Sequence, residues 1–216
     1  MKHPIWAVVP YKGKVNPKQR LAEQLTPSER ADLVHAMLND VLTTLVASAV
    51  FDDILLVSRA SDAETIADEY GISFYKDRST NLPDALIDSS NWLANVHKVR
   101  TVFIIPADVP LITVEDLKQA VDQHVEVTVI PDQHQIGTNG LICTPPNAFK
   151  YVFDGKSYRP HLRAARAIGL NTSELSLSSF SLDIDTYKDV FEILNSTQST
   201  LTKSFLQKIT SIRKHA

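Results

Sequence analysis

A short apolar run that ends in a carboxylate constrains the fold of this chain more than any other feature. Residues 102–105, Val-Phe-Ile-Ile, are all strand-forming and apolar, which is typical of a central parallel strand covered by helices on both faces. Pro106 ends the run and Asp108 follows it. Open α/β sheets bind ligands at the carboxyl edge of their strands, so Asp108 is either a ligand-binding residue there or a turn residue that accepts hydrogen bonds from local amides.

Similar apolar runs alternate with helical patterns through the first half of the chain. The predicted strands span residues 5–9, 54–57, 72–75 and 101–105, and the predicted helices span residues 27–49, 61–70 and 83–96. This βαβαβαβ series predicts an α/β fold with a mostly parallel, doubly wound sheet. With 216 residues, of which 44% are hydrophobic, the chain has enough apolar material for one sizeable core, and we expect a single domain over residues 1–216.

Composition excludes several functional classes. A net charge of −3 argues against a general nucleic-acid binder. No apolar run approaches the roughly 20 residues of a membrane span, so we expect no membrane association. The single cysteine, Cys143, excludes an intramolecular disulfide and fits a reducing cytoplasm. We therefore expect a cytoplasmic protein.

A basic loop follows the first predicted strand. It carries Lys12, Lys14, Lys18 and Arg20, and the first twenty residues contain no Asp or Glu. A basic loop at the carboxyl edge of a sheet is suited to phosphate groups, although such a loop can also be merely solvated. Neither GxxxxGK[ST] nor GxGxxG occurs here, which argues against a P-loop kinase or a dinucleotide-dependent dehydrogenase.

The second half offers two further candidate anion sites. A predicted helix at 114–123 and a strand at 125–130 lead into a loop in which Gly137, Asn139 and Gly140 permit positive φ, so that backbone amides and the Thr138 hydroxyl can face an anion. The alternative for this loop is a hairpin-like turn.

The second of these sites is the start of a helix predicted at 157–168. Gly155 and Lys156 precede Ser157, whose hydroxyl and free helix amides can hold a phosphate. His161 lies one turn further along and is either a ligand-binding residue or a histidine that is hydrogen bonded within the packing.

A second acidic cluster lies near residue 184. Residues two apart in a strand point to the same face, so Asp183 and Asp185 can converge while Ile184 enters the core. If they meet Asp108, the three carboxylates form a divalent-cation site suited to magnesium shared with the phosphates of a nucleotide. Asp185 alone could instead be a helix N-cap.

Taken together, these motifs resemble the 2-phospholactate guanylyltransferase family. The resemblance runs over nearly the whole chain, and its motifs occur in the family's order: P-x-K with K-x-R-L (Pro10, Lys12, Lys18, Arg20, Leu21), A-D-V-P-L (Asp108, Pro110, Leu111), D-x4-G-T-N (Asp132, Gly137, Thr138, Asn139), G-x-S-[FY]-x2-H (Gly155, Ser157, Tyr158, His161) and D-I-D-T (Asp183, Asp185, Thr186).

The resemblance implies a GT-A-like nucleotidyltransferase fold and a specific reaction. The family transfers GMP from GTP to a phosphorylated three-carbon acid, which is 2-phospho-L-lactate, phosphoenolpyruvate or 3-phospho-D-glycerate, with release of pyrophosphate, and the product passes to a downstream transferase in coenzyme F(420) biosynthesis. By similarity, the three aspartates hold Mg²⁺, the basic loop (Lys12, Lys18 and Arg20) holds the triphosphate, and Thr138 and Ser157 hold the phosphate of the acceptor. Asn139, Gly155 and His161 belong to the same substrate-binding motifs.

Other functions are compatible with parts of the pattern. A GT-A glycosyltransferase shares the fold and the metal, but its DxD motif is expected after the strand at 101–105. Another sugar or cofactor nucleotidyltransferase, or a non-catalytic nucleotide-binding module, also remains open. An apolar helical stripe near the C-terminus indicates core packing or a homodimer contact; its members are Leu201, Phe205, Leu206, Ile209 and Ile212.

Overall fold

The chain folds into one mixed sheet with helices on both faces. The computed structural model describes residues 4–214, and only the backbone of residues 212–214. The strands in this range are β1 Ile5–Tyr11, β2 Asp53–Ser58, β3 Ser73–Lys76, β4 Thr101–Ile104, β5 Val127–Pro131, β6 Thr138–Cys143 and β7 Thr172–Glu174. The helices are α1 Pro27–Ser48, α2 Ala63–Tyr70, α3 Leu82–Val96, α4 Val114–Asp122, α5 Tyr158–Ala167, α6 Tyr187–Asn195 and α7 Leu201–Lys214, with short 3-10 helices at Gln19–Leu21 and Ser178–Phe180.

The strand order is β3-β2-β1-β4-β6-β5-β7. Strands β1, β2, β3 and β4 run parallel to one another. Strand β6 is antiparallel to both β4 and β5. The predicted mostly parallel, doubly wound sheet is therefore confirmed. Because β1 lies between β2 and β4, the loops that follow these three strands leave the same edge of the sheet side by side.

Strand β6 is the main element that the sequence pattern did not predict. Residues 138–140 were expected to form a loop with positive φ, but they are extended strand residues, and Gln135 takes the left-handed conformation instead (φ 55°). Asn and Gly are depleted in strands, which hid the start of β6. Gly140 is required there because a Cβ at this position would lie 2.8 Å from Cδ1 of Ile130.

Strand β1 continues through Pro10 to Tyr11, two residues beyond the predicted end at Val9, so the prediction that Pro10 breaks the strand is wrong. The carbonyl oxygen of Val8 accepts a hydrogen bond from Ile105 on the β4 side. Pro10 lies two residues later and faces the same side, where β4 has already ended at Ile104. Its missing N–H therefore costs no ladder hydrogen bond.

Two apolar layers cover the sheet. One layer contains Leu38 and Leu42 of α1 and Ala67 of α2, packed on the face that carries Phe103. The other contains Leu86 of α3 and Leu162 of α5, and it covers the opposite face. Helices on both faces are what the apolar run at 102–105 predicted.

Side chains cap the N-termini of helices α1 and α4. At α1, Thr26 and Glu29 form a capping box. At α4, Thr113 Oγ1 accepts a hydrogen bond from the amide of Asp116 at 3.2 Å. Helix α2 begins at Ala63 with Asp62 as its N-cap, and not at Ser61, because residues before Ala63 form a turn.

The C-terminal helix α7 packs on α1. Leu206 and Ile209 are 2% and 8% exposed in a third apolar cluster with Leu33 and Met37, so the core interpretation of the predicted stripe is confirmed for these two residues. Leu201 is 54% exposed, and the side chain of Ile212 lies outside the described part of the chain. No helix within residues 4–214 has both the length and the apolar character that crossing a membrane requires.

Candidate active site

Two acidic segments from distant parts of the chain meet at the carboxyl edge of the sheet. Asp108 lies in the loop after β4, and Asp183 and Asp185 lie between the 3-10 helix Ser178–Phe180 and α6. The amide of Ile184 donates a hydrogen bond to the carbonyl oxygen of Asp108 at 3.1 Å, and the Ile184 side chain is fully buried. The sequence predicted a strand for this segment, and that prediction is wrong. The two aspartates on either side of Ile184 nevertheless converge on Asp108, as predicted.

The three carboxylates, Asp108, Asp183 and Asp185, form a compact acidic cluster. Each offers one oxygen atom, and these oxygens lie within 4.8 Å of one another. Burial, and after it the neighbouring charge of Asp108, raise the pKa of Asp183 to about 6, because both disfavour the charged carboxylate. Three half-buried hard oxygen donors at this spacing could hold a divalent cation such as Mg²⁺.

Lys18 supplies a positive charge to this cluster. Its Nζ donates to Asp108 Oδ2 at 2.6 Å and to Asp185 Oδ1 at 2.8 Å, and its side chain is only 11% exposed. Burial lowers the pKa of Lys18, but the two carboxylates outweigh burial and raise it. Burial also opposes the charged form of Asp185, yet the ammonium of Lys18 keeps the pKa of that carboxyl below its usual range.

The basic loop after β1 forms one wall of a cleft of about 510 Å³. Lys12 follows β1 directly, and Arg20 lies in the 3-10 helix with its guanidinium 3.5 Å from Asp185. The cleft contains Lys12, Lys18 and Arg20 together with Asp108 and Asp185. The structure thus brings together the predicted triphosphate-binding residues and two of the predicted metal ligands.

Gly13 allows this loop to pass close to the chain after β2. Its φ of +79° lies in the left-handed region, and a Cβ would be 2.6 Å from the Cβ of Ala60. Any other residue would strain the backbone and clash. The single glycine of the loop therefore fixes the position of Lys12.

A second cleft of about 500 Å³ adjoins the first, and both are lined by Pro10, Tyr11, Lys12 and Leu82. At its far side lie Arg59, which follows β2, and Asp77, which follows β3. Arg59 is paired with the buried carboxylate of Asp77 at 3.2 Å, and that carboxylate also accepts the Ser79 amide at 2.7 Å. Sequence reasoning missed both residues, although their positions directly after predicted strands were the available signal.

The predicted acceptor-binding residues form a buried hydroxyl cluster beside the acidic cluster. The Ser157 hydroxyl donates to Thr138 Oγ1 at 2.9 Å, and His161 Nδ1 lies 3.1 Å from the same oxygen. Ser157 is the N-cap of α5. Thr138 and Ser157 are 5% and 1% exposed, and His161 is fully buried, so His161 lies behind the two hydroxyl groups.

Asn139 and Asp132 have supporting positions that the sequence did not reveal. The Asn139 amide donates to Asp183 Oδ1 at 3.2 Å and to the Phe180 carbonyl at 2.8 Å, which ties strand β6 to the acidic cluster. Asp132 accepts the amides of Ile136 and Gly137, both at 2.9 Å, and so organises the turn before Thr138.

Gly155 lies in the exposed turn before α5, with φ +82° and no atom within 4 Å of the position of a Cβ. It permits the turn, and its predicted contact with substrate stays a prediction. The direct ligand contacts predicted for the other site residues also stay predictions.

Comparison with known proteins gives a consistent result. A family model with the description "Guanylyl transferase CofC like" matches residues 5–214. A 2-phospho-L-lactate guanylyltransferase of Methanobrevibacter ruminantium is 31% identical over 219 residues, covering 95% of this chain and 91% of the relative. A phosphoenolpyruvate guanylyltransferase of Sphaerobacter thermophilus is 33% identical over 193 residues, covering 87% and 91%.

Solved structures share the fold at low sequence identity. A protein of Desulfovibrio desulfuricans G20 assigned to the nucleotide-diphospho-sugar transferases has a TM-score of 0.80 at 18% identity, with 99% of this chain and 98% of that chain covered. A nucleotidyl transferase of Methanothermobacter has a TM-score of 0.69 at 17% identity, with 96% and 100% covered. The predicted nucleotidyltransferase fold is therefore confirmed.

Proposed function

The chain belongs to the guanylyl transferase CofC-like family, and on this premise we propose that it transfers GMP from GTP to a small phosphorylated three-carbon acid with release of pyrophosphate. The observation that carries the proposal is the convergence of three carboxylates, two of which line a cleft together with the basic loop. The curated relatives are named for 2-phospho-L-lactate and phosphoenolpyruvate, and 3-phospho-D-glycerate is the third candidate acceptor.

The main barrier to this reaction is charge repulsion, because a phosphate oxygen must attack the α-phosphorus of a triphosphate. Two unit charges ~4 Å apart repel by roughly 4 kcal/mol at an effective dielectric of ~20. One such contact, left without compensation, would slow the step about a thousandfold. The positive charges of Lys12, Lys18 and Arg20 are placed along the cleft to offset this repulsion.

We propose that Mg²⁺ is the cofactor and that Asp108, Asp183 and Asp185 hold it. Their chemistry fits, since magnesium prefers a few carboxylate oxygens together with substrate phosphates. When bound, the ion neutralises charge that develops on the phosphates. Asn139 holds the Asp183 carboxylate in place through its hydrogen bond, so the three ligands are positioned before the substrates arrive.

The acceptor needs no general base. A phosphate monoester is largely ionised at neutral pH, so its oxygen is already a nucleophile and the enzyme has to position it in line with the α-phosphorus. We assign this positioning to Thr138 and Ser157, with the N-terminus of α5 providing a favourable electrostatic environment for an anion.

The second cleft supports guanine as the base. It continues from the phosphate-binding cleft past Lys12, and the Arg59–Asp77 pair lies within it. An arginine fork matches the O6 and N7 acceptors of guanine, and a carboxylate matches N–H donors. Adenine has an amino donor at position 6 in place of the oxygen, so the same arginine disfavours ATP.

We place the reaction in the cytoplasm, as a step in coenzyme F(420) biosynthesis whose product is consumed by a downstream transferase. The family description supports the pathway. The one cysteine of the chain, Cys143, is buried and free, which is compatible with a reducing compartment.

The testing experiment measures pyrophosphate release with GTP and Mg²⁺ in the presence of 2-phospho-L-lactate, phosphoenolpyruvate or 3-phospho-D-glycerate. We expect release with at least one of the three, and much slower release with ATP at equal concentration. GTP binding without release for every acceptor would contradict guanylyl transfer and leave a nucleotide-binding module.

A further inference from the structure

The ring of His161 has a single possible proton arrangement in its hydrogen-bond network. The amide of Val152 donates to Nε2 at 3.0 Å. Because a ring nitrogen that accepts a hydrogen bond carries no proton, the neutral ring must carry its proton on Nδ1. That nitrogen lies 3.1 Å from Thr138 Oγ1, so His161 donates and Thr138 accepts.

Thr138 therefore accepts twice in the described structure. Its second hydrogen bond comes from the Ser157 hydroxyl at 2.9 Å. A hydroxyl has two acceptor lone pairs and one donor proton, so both lone pairs are occupied and neither of these contacts uses the proton of Thr138. That proton is therefore available for a third hydrogen bond, to an acceptor other than His161 or Ser157.

We infer that His161 is a positioning residue that turns the Thr138 hydroxyl into a hydrogen-bond donor aimed at the phosphate of the three-carbon acid. The inference rests on the proposed function and deepens it. His161 does not touch the substrate in this arrangement; it sets the direction of the Thr138 proton. The chain of donors runs from the Val152 amide through the imidazole and the threonine hydroxyl to the anion.

The surroundings of His161 keep this direction fixed. The ring is fully buried and packs against Phe153 and Phe149, with ring centroids 5.0 Å and 6.1 Å away. Burial lowers the pKa of His161 to about 4, and the charge of Asp154 opposes this only partly. The imidazole is thus neutral at working pH, and its tautomer does not change. Each hydrogen bond in such a chain also polarises the next.

Two substitutions of His161 separate positioning from packing. His161→Phe keeps the ring against its two aromatic neighbours and removes both hydrogen bonds. His161→Gln can still accept from Val152 and donate to Thr138. We expect His161→Phe to raise the KM for the acceptor about tenfold, as for loss of a hydrogen bond to a charged group, with an unchanged KM for GTP. His161→Gln should recover part of the loss.

A double-mutant cycle with Thr138→Val tests whether His161 acts through the threonine hydroxyl. Once that hydroxyl is absent, we expect His161→Phe to change the acceptor KM by less than about twofold. Equal factors in both backgrounds, or a parallel rise in the KM for GTP, would overturn the inference. Calorimetric titration with each acceptor in the absence of GTP repeats the comparison without turnover, so a failure of guanylyl transfer is distinguishable from a failure of this inference.

His124 provides the matched control. It is also a histidine with threonine partners, with ring nitrogens 2.9 Å from the hydroxyls of Thr128 and Thr144. It precedes β5, at the edge of the sheet opposite to Thr138. His124→Phe should lower the melting temperature and leave both KM values unchanged. An acceptor KM raised by the same factor as in His161→Phe would show a general packing effect and overturn the inference.

Discussion

The ammonium of Lys18 lies 2.6 Å from the carboxylate of Asp108, although 90 positions separate the two residues in the chain. The same nitrogen lies 2.8 Å from Asp185. One buried cation thus compensates two of the three carboxylates in the acidic cluster. The positive φ of Lys18, 46°, is a conformation that a lysine rarely adopts, which indicates that the surrounding contacts hold it in this position.

Replacement of Asp108 tests the proposed metal site. Asp108→Asn removes one charged ligand at almost constant volume, so we expect an intact fold and a loss of pyrophosphate release of about a thousandfold or more. Circular dichroism checks the fold, and turnover with GTP and Mg²⁺ checks the site. Asp122→Asn, an equal change on an exposed turn of α4, is the control and should retain full activity. Retention of activity in Asp108→Asn would contradict the assignment.

Replacement of Lys18 should make stability depend more strongly on magnesium. Lys18→Met removes the one buried cation that contacts the acidic cluster within the described residues, and we expect a loss of about 2 kcal/mol in the free energy of unfolding without metal. A divalent cation at the cluster should restore more stability in this variant than in wild type. Thermal unfolding with and without Mg²⁺ measures both effects. Lys14→Met is the control, because it removes only a half-exposed pair with Asp62, and magnesium should stabilise it no more than wild type. Equal stabilisation by magnesium in wild type and both variants would contradict a cation site compensated by Lys18.

The sequence predicted the parallel half of the sheet well because buried parallel strands are uniformly apolar. The runs at residues 5–9, 54–57 and 102–105 have no polar interruptions, so local composition alone identified them. Strand β6 was missed because its first half, Thr138 to Gly140, is polar or lacks a side chain. The close approach of Ile130 that requires Gly140 is a contact between strands, and such contacts are not readable from local pattern.

The acidic cluster was predictable because Asp108, Asp183 and Asp185 lie next to apolar segments with a strand-like pattern. A carboxylate in such a place has few structural roles, so a ligand-binding role was the natural hypothesis. The Lys18 bridge was not, since a basic loop offers several lysines and only the folded path of the loop selects one. Arg59 and Asp77 were predictable in principle from the same edge argument, because they follow β2 and β3 directly.

Replacement of Arg59 tests base recognition. Arg59→Ala removes the donors proposed to bind O6 and N7 of guanine, so we expect kcat/KM for GTP to fall about tenfold. The low activity with ATP should not fall, because adenine gains nothing from this arginine. Initial rates with each nucleotide give the ratio. Arg78→Ala, at an exposed position beside Asp77, serves as the control. An equal fall for both nucleotides would point to phosphate binding or loss of structure instead.

The buried histidines should make the protein less stable in mild acid. Burial lowers the pKa of His161 from 6.5 to about 4, so between these values the unfolded chain binds a proton that the folded chain does not. Stability therefore increases with pH across this window; the contribution is fully present above pH 6.5 and is lost as the pH falls toward 4.

The full shift corresponds to at most about 3 kcal/mol for His161, and His124, whose pKa burial also lowers to about 4, acts in the same direction. Urea unfolding of wild type and of His161→Gln at several values between pH 4 and pH 7 isolates the term, because the carboxylates common to both proteins cancel in the difference. Wild type should lose more stability than the variant as the pH falls. Parallel curves would mean that His161 takes up its proton over the same pH range in the folded and the unfolded chain, so that the folded ring would not be held in the neutral form on which the direction of the Thr138 proton depends.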